Sequence, residues 1–314
     1  MEFNEFLEYI YQRHSGNVKL GLERIENILA KMGNPNLKLK GIHIAGTNGK
    51  GSTSAMCEKM ALAHQLSTGM NTSPHLVDYR ERIRVDGINI SFEELLENYN
   101  KWGDMLEANE ASFFEITTSL AFYHFWQKKV DAAIMEVGLG GRLDGTNPFA
   151  STVTIINTIS MDHPKSLGDT IEQIAFEKAG IIKPNTPVVI GKLPEVAAKV
   201  IRQMAQEKNA PIYEFGHNFH IENIQINEKG TSFDYISDKL ILRNVTVNLL
   251  GEHQAYNCAV AITAFNLFMQ KTGRKLDEQK MRTGLQEVNW QGRMQILHKK
   301  PTVIIDGAHN EEGI

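Results

Sequence analysis

The tightest constraint on this chain is a repeated pairing of short apolar, β-branched runs with helix-forming segments. GIHIAG from Gly41 leads into a helix from Ser52, and STVTIINTI from Ser151 leads into one through IEQIAFEKAG. TPVVIG from Thr186 precedes EVAAKVIRQMAQEKNA, and DAAIMEVG from Asp131 adds a further buried run. That rhythm predicts an α/β fold, a mainly parallel sheet flanked by helices. Ahead of it, Leu22, Ile25, Ile28, Leu29 and Met32 form one helical stripe that stops at Gly33, with Pro35 just beyond.

From Phe219 to Leu250 the period changes to short alternating runs broken at Glu228-Lys229-Gly230 and Ser237-Asp238, the pattern of a small appended antiparallel sheet. Two helices follow, through NCAVAITAFNLFMQ and DEQKMRTGLQEV. QGRMQILHKKP then reads as a polar segment and TVIIDGAHN as a fresh buried strand opening a new unit. The expected division is one large domain over residues 1–294, then a linker and the first strand of a truncated second domain over 295–314.

With 314 residues, 42% of them apolar, the chain can bury a substantial core. A net charge of -4 gives no general affinity for nucleic acid or for an anionic membrane, so anion binding must be local. The two cysteines, Cys57 and Cys258, lie far apart in helix-like stretches and do not suggest a disulfide framework. The N-terminus MEFNEFLEYI carries carboxylates where a secretory signal carries lysines, and no apolar run approaches the ~20 residues of a membrane span. A cytoplasmic monomer is expected.

One loop carries the chemistry. Gly46-Thr47-Asn48-Gly49-Lys50-Gly51-Ser52-Thr53 stands between a predicted strand and a predicted helix. In such a turn backbone N–H groups close around phosphate oxygens, the helix N-terminus adds positive potential, and Lys50 offers a point charge. The spacing departs from the usual G-x-x-x-x-G-K-[ST], because position 44 is isoleucine and Gly51 separates Lys50 from Ser52.

That departure resembles the phosphate loop of the Mur ligase superfamily, in particular its folate-ligase branch, the folylpolyglutamate and dihydrofolate synthases. Further segments resemble the same family in the same order: LGLERI from Leu20, TSPHL from Thr72, ERIRVDG from Glu81, FFEITT from Phe113 and MEVGLGGRLDGTN from Met135. Met161-Asp162-His163 with LGDTIEQIAFEKAGIIKP, LLGEHQAYN from Leu249 and DGAHN from Asp306 complete the series. The resemblance implies a Mur-ligase-like ATPase domain, a truncated Rossmann-like glutamate-binding domain, and an ATP-dependent ligase. The enzyme would join L-glutamate to folate or dihydropteroate through an acyl phosphate. Two other readings stay open: a Mur-type ligase acting on a cell-wall nucleotide, and a nucleotide-binding fragment without activity.

Moving a γ-phosphoryl onto a carboxylate brings like charges together, so oxygen-ligated Mg²⁺ and cationic side chains are required. By resemblance Asn48, Gly49, Lys50, Gly51, Ser52 and Thr53 hold ATP with Asn257 (adenine), Arg293 (phosphate) and Asp306 (ribose). Glu136, at the end of AAIMEV, resembles a Mg²⁺ ligand together with Ser52 and Ser73, and His163 a ligand of a second Mg²⁺. From pattern alone these are turn formers and a surface histidine. Lys178 would be solvated at a helix C-terminus on pattern; the resemblance makes it a carbamylated lysine, and His309 a histidine near the γ-phosphate. A monovalent cation is a further candidate. The folate site would run along Asn17, Val18, Lys19 and Leu20, along Ser112, Phe113, Phe114 and Glu115, and along Leu143, Asp144 and Gly145. Phe113 and Phe114 offer faces for a pteridine ring, with one of the pair equally able to be core. Arg82 and Arg84 can attract glutamyl carboxylates or form a solvated face.

Overall fold

The computed structural model describes residues 3–13, 21–308 and 310. Helices α1 (Phe3–Gln12), α2 (Glu23–Lys31) and α3 (Pro35–Lys38) precede strand β1 (Gly41–Ala45) and helix α4 (Lys50–Ala63). Then come β2 (Thr68–Asn71), a 3-10 turn over Tyr79–Arg82, β3 (Ile83–Val85), β4 (Ile88–Asn89), α5 (Phe92–Ala108), α6 (Phe113–Lys128) and β5 (Ala132–Glu136). The middle of the chain forms β6 (Val153–Ile156), α7 (Pro164–Leu167), α8 (Ile171–Ala179), β7 (Val188–Ile190), α9 (Glu195–Glu207) and β8 (Ile212–Glu214). Strands β9 (Phe219–Asn227), β10 (Gly230–Ser237) and β11 (Ile241–Val247), helices α10 (Glu252–Lys271) and α11 (Glu278–Gln286), and strands β12 (Gln295–Lys299) and β13 (Thr302–Ile305) complete the chain.

Eight strands make the main sheet, in the order β4-β3-β2-β5-β1-β6-β7-β8. The six from β2 to β8 are parallel, as their continuous apolar runs predict, because a strand buried on both faces need not alternate. Ile134 joins Ile42 and Ile44 in a core shared with α4, α10 and α11, while its neighbours Ala133 and Met135 face the core of α1, α2, α5 and α6. A third cluster packs α8 and α9 on Ile156, Val188 and Ile190. Helix α4 is buried on nearly every side, which explains its small residues Ser54, Ala55, Cys57 and Ala61. Both cysteines are buried and unpaired. Among the described residues no helix is long and apolar enough to cross a membrane.

Ile25, Ile28, Leu29 and Met32 are buried, as the stripe predicts. The segment from Phe219 onward forms a separate three-stranded antiparallel sheet, β11-β10-β9, whose Phe219, Phe233 and Tyr235 pack into the α10 core. Two expectations change. β3 and β4 add an antiparallel hairpin at one edge of the main sheet, because Asp86-Gly87 turns the chain straight back. TVII is a strand but not a buried one: β13 is exposed along its length and pairs antiparallel with β12, inside the segment read as merely polar.

Central strand β1 is flanked by β5 and β6, and its connections leave in opposite directions, to β2 on one side and from β5 across to β6 on the other. Such a reversal opens a crevice at the carboxyl ends of the strands. Helix α6 packs on the sheet through Phe125, which is fully buried and lies on Gly69 of β2, where an added Cβ would come 2.4 Å from the ring. Phe125→Ala should destabilise the protein by about 3–5 kcal/mol, as cavities under large aromatics do. Denaturant unfolding checks this, and a loss below about 1 kcal/mol would contradict the packing described.

Candidate active site

Four strand ends meet in the crevice. The glycine loop leaves β1, Glu136 closes β5, Thr72 and Ser73 follow β2, and Asn157 to Ser160 follow β6. The loop's shape is held from the β6 side. Asn48 N–H donates to Thr158 Oγ1 at 2.8 Å, and its carbonyl accepts from Thr158 Oγ1 at 3.1 Å and from Asn157 Nδ2 at 3.3 Å. Thr47 N–H donates to the Thr158 carbonyl, while Thr47 Oγ1 accepts from Ser160 N–H at 3.1 Å. Gly49 adopts φ +80° at the start of α4, and a Cβ there would sit 2.2 Å from Asn157 Nδ2 and 2.4 Å from Asn257 Oδ1. Only glycine fits both demands.

Asn257 is therefore brought to the back of the loop, 4% exposed; its Oδ1 accepts from Asn157 Nδ2 at 2.7 Å and its Nδ2 donates to Gln254. Lys50 Nζ donates to the carbonyls of Gly46 and Thr47, at 3.0 and 3.1 Å. Ser52 is buried beside Gln254, and Thr53 has a buried hydroxyl with no protein partner.

Glu136 is 4% exposed and accepts one hydrogen bond, from Ser73 N–H at 3.3 Å. Burial pushes its carboxyl up to about 7, against the fields of Lys50, the Ser73 N–H, Arg293 and Arg82. Lys178 is 3% exposed rather than solvated, because Arg142 ties its helix to the Gly140-Gly141 turn through the Glu177 carboxylate and carbonyl. Burial and then Lys50 lower the Lys178 ammonium to about 7, partly offset by Asp162 and Asp144. His163 stands at the rim in a left-handed conformation (φ 48°), exposed, with Nε2 3.7 Å from Asp162.

The donor set fits a hard divalent cation. Among the described residues the buried Glu136 carboxylate has one N–H donor and no ion-pair partner, so its charged form is left uncompensated, and hydroxyls of Ser52 and Ser73 lie on the adjoining elements. Among the described residues no three His, Cys, Asp or Glu side chains cluster as metal ligands.

The final segment returns over this edge. Arg293 acts on Glu136 electrostatically; Asp306 accepts from Met294 N–H and Ala308 N–H, each at 2.7 Å; Asn310 and Asn48 exchange side-chain amide hydrogen bonds, both 3.1 Å. Asn17, Val18, Lys19, Leu20 and His309 lie outside the described residues.

The expected folate wall is divided. Ser112 caps α6 in a reciprocal box with Glu115, whose carboxylate also pairs with Arg24 at 2.8 Å. Phe113 is core, stacked on Tyr11 with ring centroids 5.6 Å apart. Phe114 is half-buried over Gly138 and Gly145, where added Cβ atoms would meet its ring. Leu143 is half-buried beside this turn, and Asp144 holds it by accepting from Leu139 N–H and Thr146 N–H, each at 2.9 Å. Arg82 and Arg84 are not a solvated face: Arg82 lies over Phe113 and donates to His75, and Arg84 pairs with buried Glu58. Sequence reasoning did not single out Asn157, Thr158, Ser160 or Trp290; for the first three the polar end of TIINTIS was the available signal.

Three comparisons bear on this geometry. Residues 44–265 match the Mur ligase middle domain. The chain is 36% identical to the dihydrofolate synthase/folylpolyglutamate synthase of Bacillus subtilis over 99% of its own length and 74% of that protein's. It is 33% identical to the folylpolyglutamate synthase of Lacticaseibacillus casei, covering 100% of this chain and 75% of the relative. A solved FPGS-AMPPCP-folate complex superposes with TM-score 0.95 at 32% identity, over 100% of this chain and 78% of that one.

The Glu136 pKa has a direct consequence for stability. Folded Glu136 holds its proton more tightly than the unfolded carboxyl, whose ordinary value is 4.5, so stability falls as pH rises from there to about 7. Above that window the full penalty applies, on the order of 3 kcal/mol. In buffer free of metal and nucleotide, Glu136→Gln should raise Tm above pH 7 and leave it unchanged near pH 4. A Tm difference independent of pH would contradict the burial assigned to this group.

Proposed function

This chain belongs to the folylpolyglutamate synthase and dihydrofolate synthase family, built on the Mur ligase middle domain, and from that membership we propose how its residues work. It is an ATP-dependent, ADP-forming ligase that adds L-glutamate to folate. One observation carries the assignment of roles: the phosphate loop leaves β1 beside the buried carboxylate of Glu136, which closes the neighbouring parallel strand β5 in register with Ile44.

In this reading the backbone of residues 48–53 cradles the phosphates, and Lys50 turns from the Gly46 and Thr47 carbonyls to the terminal phosphates. Arg293 of the returning segment adds positive charge. Mg²⁺ neutralises the phosphoryl oxygens when bound; Glu136, Ser52 and Ser73 would hold it, and His163 with a carbamylated Lys178 would hold a second ion. The folate carboxylate attacks the γ-phosphorus in line and ADP leaves. The glutamate amine then attacks the acyl carbon, phosphate departs, and an amide remains. The loop N–H groups, already in place, and Lys50 once it has turned stabilise charge on the transferring group.

Asp306 and His309 keep their expected roles at the ribose and the γ-phosphate, whereas Asn257, expected at the adenine, acts in this reading by bracing the loop through Asn157 and Gln254. Phe114 with Leu143, Asp144 and Gly145 forms the pterin wall, while Ser112, Phe113 and Glu115 support it; Asn17, Val18, Lys19 and Leu20 remain folate-site candidates on the resemblance alone. Residues 1–294 form the ATPase unit, and 295–314 the linker and first strand of a glutamate-binding unit. We read the enzyme as a cytoplasmic monomer.

The burial of Lys178 supports its carbamylation. An amine titrating near 7 is substantially neutral at physiological pH; its lone pair can attack CO₂, a proton leaves to water, and an anionic carbamate results. Native mass spectrometry in bicarbonate should show an added CO₂ that maps to Lys178 and disappears on acidification. An unmodified lysine throughout would exclude it. For the reaction itself, phosphate release should require ATP, L-glutamate and either dihydropteroate or tetrahydrofolate, and should not respond to UDP-muramyl substrates. Lys50→Ala should lower kcat/KM on the order of 10²–10³-fold. Phosphate release independent of folate would overturn the assignment.

A further inference from the structure

The extra glycine of the loop has a steric reason. A Cβ at Gly51 would lie 2.8 Å from Trp290 Nε1 and 2.9 Å from its Cζ2, so the indole rests directly on the loop backbone between Lys50 and Ser52. Trp290 is half-buried and packs on the α4, α10 and α11 core. Arg84 lies over the ring, 5.7 Å from its centroid, and pairs with Glu58, a fully buried carboxylate two turns along α4 from the loop. The indole is thus gripped by the phosphate-loop helix on one side and by the β3 edge on the other.

Trp290 also begins the segment that crosses back over the crevice. Gly292 follows, with Leu76 3.5 Å from where its Cβ would be, and then Arg293, whose guanidinium acts on Glu136 and would lie 2.5 Å from a Cβ on Gly307. The reciprocal amide pair of Asn310 and Asn48 ties the same segment to the loop a second time.

We propose that Trp290 is a positioning residue, which fixes the Arg293 guanidinium over the phosphate site by seating the returning segment on Gly51, so that loop and segment move as one unit. This rests on the assignment of the loop to ATP. The indole touches no reacting atom in this arrangement; it acts through the register of the loop against Arg293. Substrate-driven ordering of the loop would be transmitted to the returning segment through this contact.

A double-mutant cycle tests the contact. Gly51→Ala should raise KM for ATP on the order of tenfold, and Trp290→Ala in that background should recover much of the loss by removing the clash. Trp290→Ala alone should raise KM for ATP with a smaller change in kcat, and Trp290→Phe, which keeps a flat ring, should be intermediate. With Trp102 and Trp126 replaced by phenylalanine, the emission of Trp290 should shift on titration with a non-hydrolysable ATP analogue. ATP binding to the wild type by calorimetry is the control. Failure of the wild type to bind ATP would sink the ATP assignment itself. Additive effects in the cycle, or a folded Trp290→Ala protein with unchanged KM, or an unresponsive emission, would overturn the role of Trp290 alone.

Discussion

Everything at this site depends on keeping charge under cover at the carboxyl edge of the sheet. Glu136 and Lys178 are both almost fully buried, and neither has a direct ion-pair partner. Desolvation then drives each toward its neutral form, which is the least costly state for a buried ionisable group without a counter-charge. Three apolar clusters, one on α4 and α10, one on α6, and one on α8 and α9, hold the strand ends rigidly enough to sustain that cost.

The phosphate loop solves a different problem. It must present N–H groups outward while its own carbonyls and turn are satisfied from behind. Thr158 does both to Asn48, donating to its carbonyl and accepting from its N–H, and Asn157 links the same carbonyl to Asn257. These contacts span about a hundred residues of sequence, so they exist only once β6 lies beside β1. Phosphate binding in this fold is a property of the assembled sheet.

Local features were legible in the sequence where a local rule sets them. The β1–loop–α4 unit, the α2 stripe, the parallel sheet and the three-stranded sheet all follow from periodicity and turn residues. The loop spacing and ordered motifs gave the family. What escaped was set by tertiary partners. Arg82 and Arg84 alternate along a strand as solvated residues would, yet α4 supplies a buried carboxylate and α6 a ring, and both become interior. Ser112 and Glu115 sit in a motif that reads as ligand-binding and also in the Ser-x-x-Glu spacing of a capping box, which α6 uses. β12 was hidden because an exposed two-stranded ribbon needs no apolar face.

The braces behind the loop are amides and hydroxyls throughout: Thr47, Asn157, Thr158, Ser160, Gln254, Asn257. None of them gains or loses a proton in the range where proteins work, and neutral hydrogen bonds are little screened by dissolved ions. The cradle therefore keeps one shape across changes of acidity and ionic strength that alter the groups around it. Sensitivity of nucleotide affinity to either variable reports on the neighbouring carboxylate and amines, leaving the mould itself as a constant.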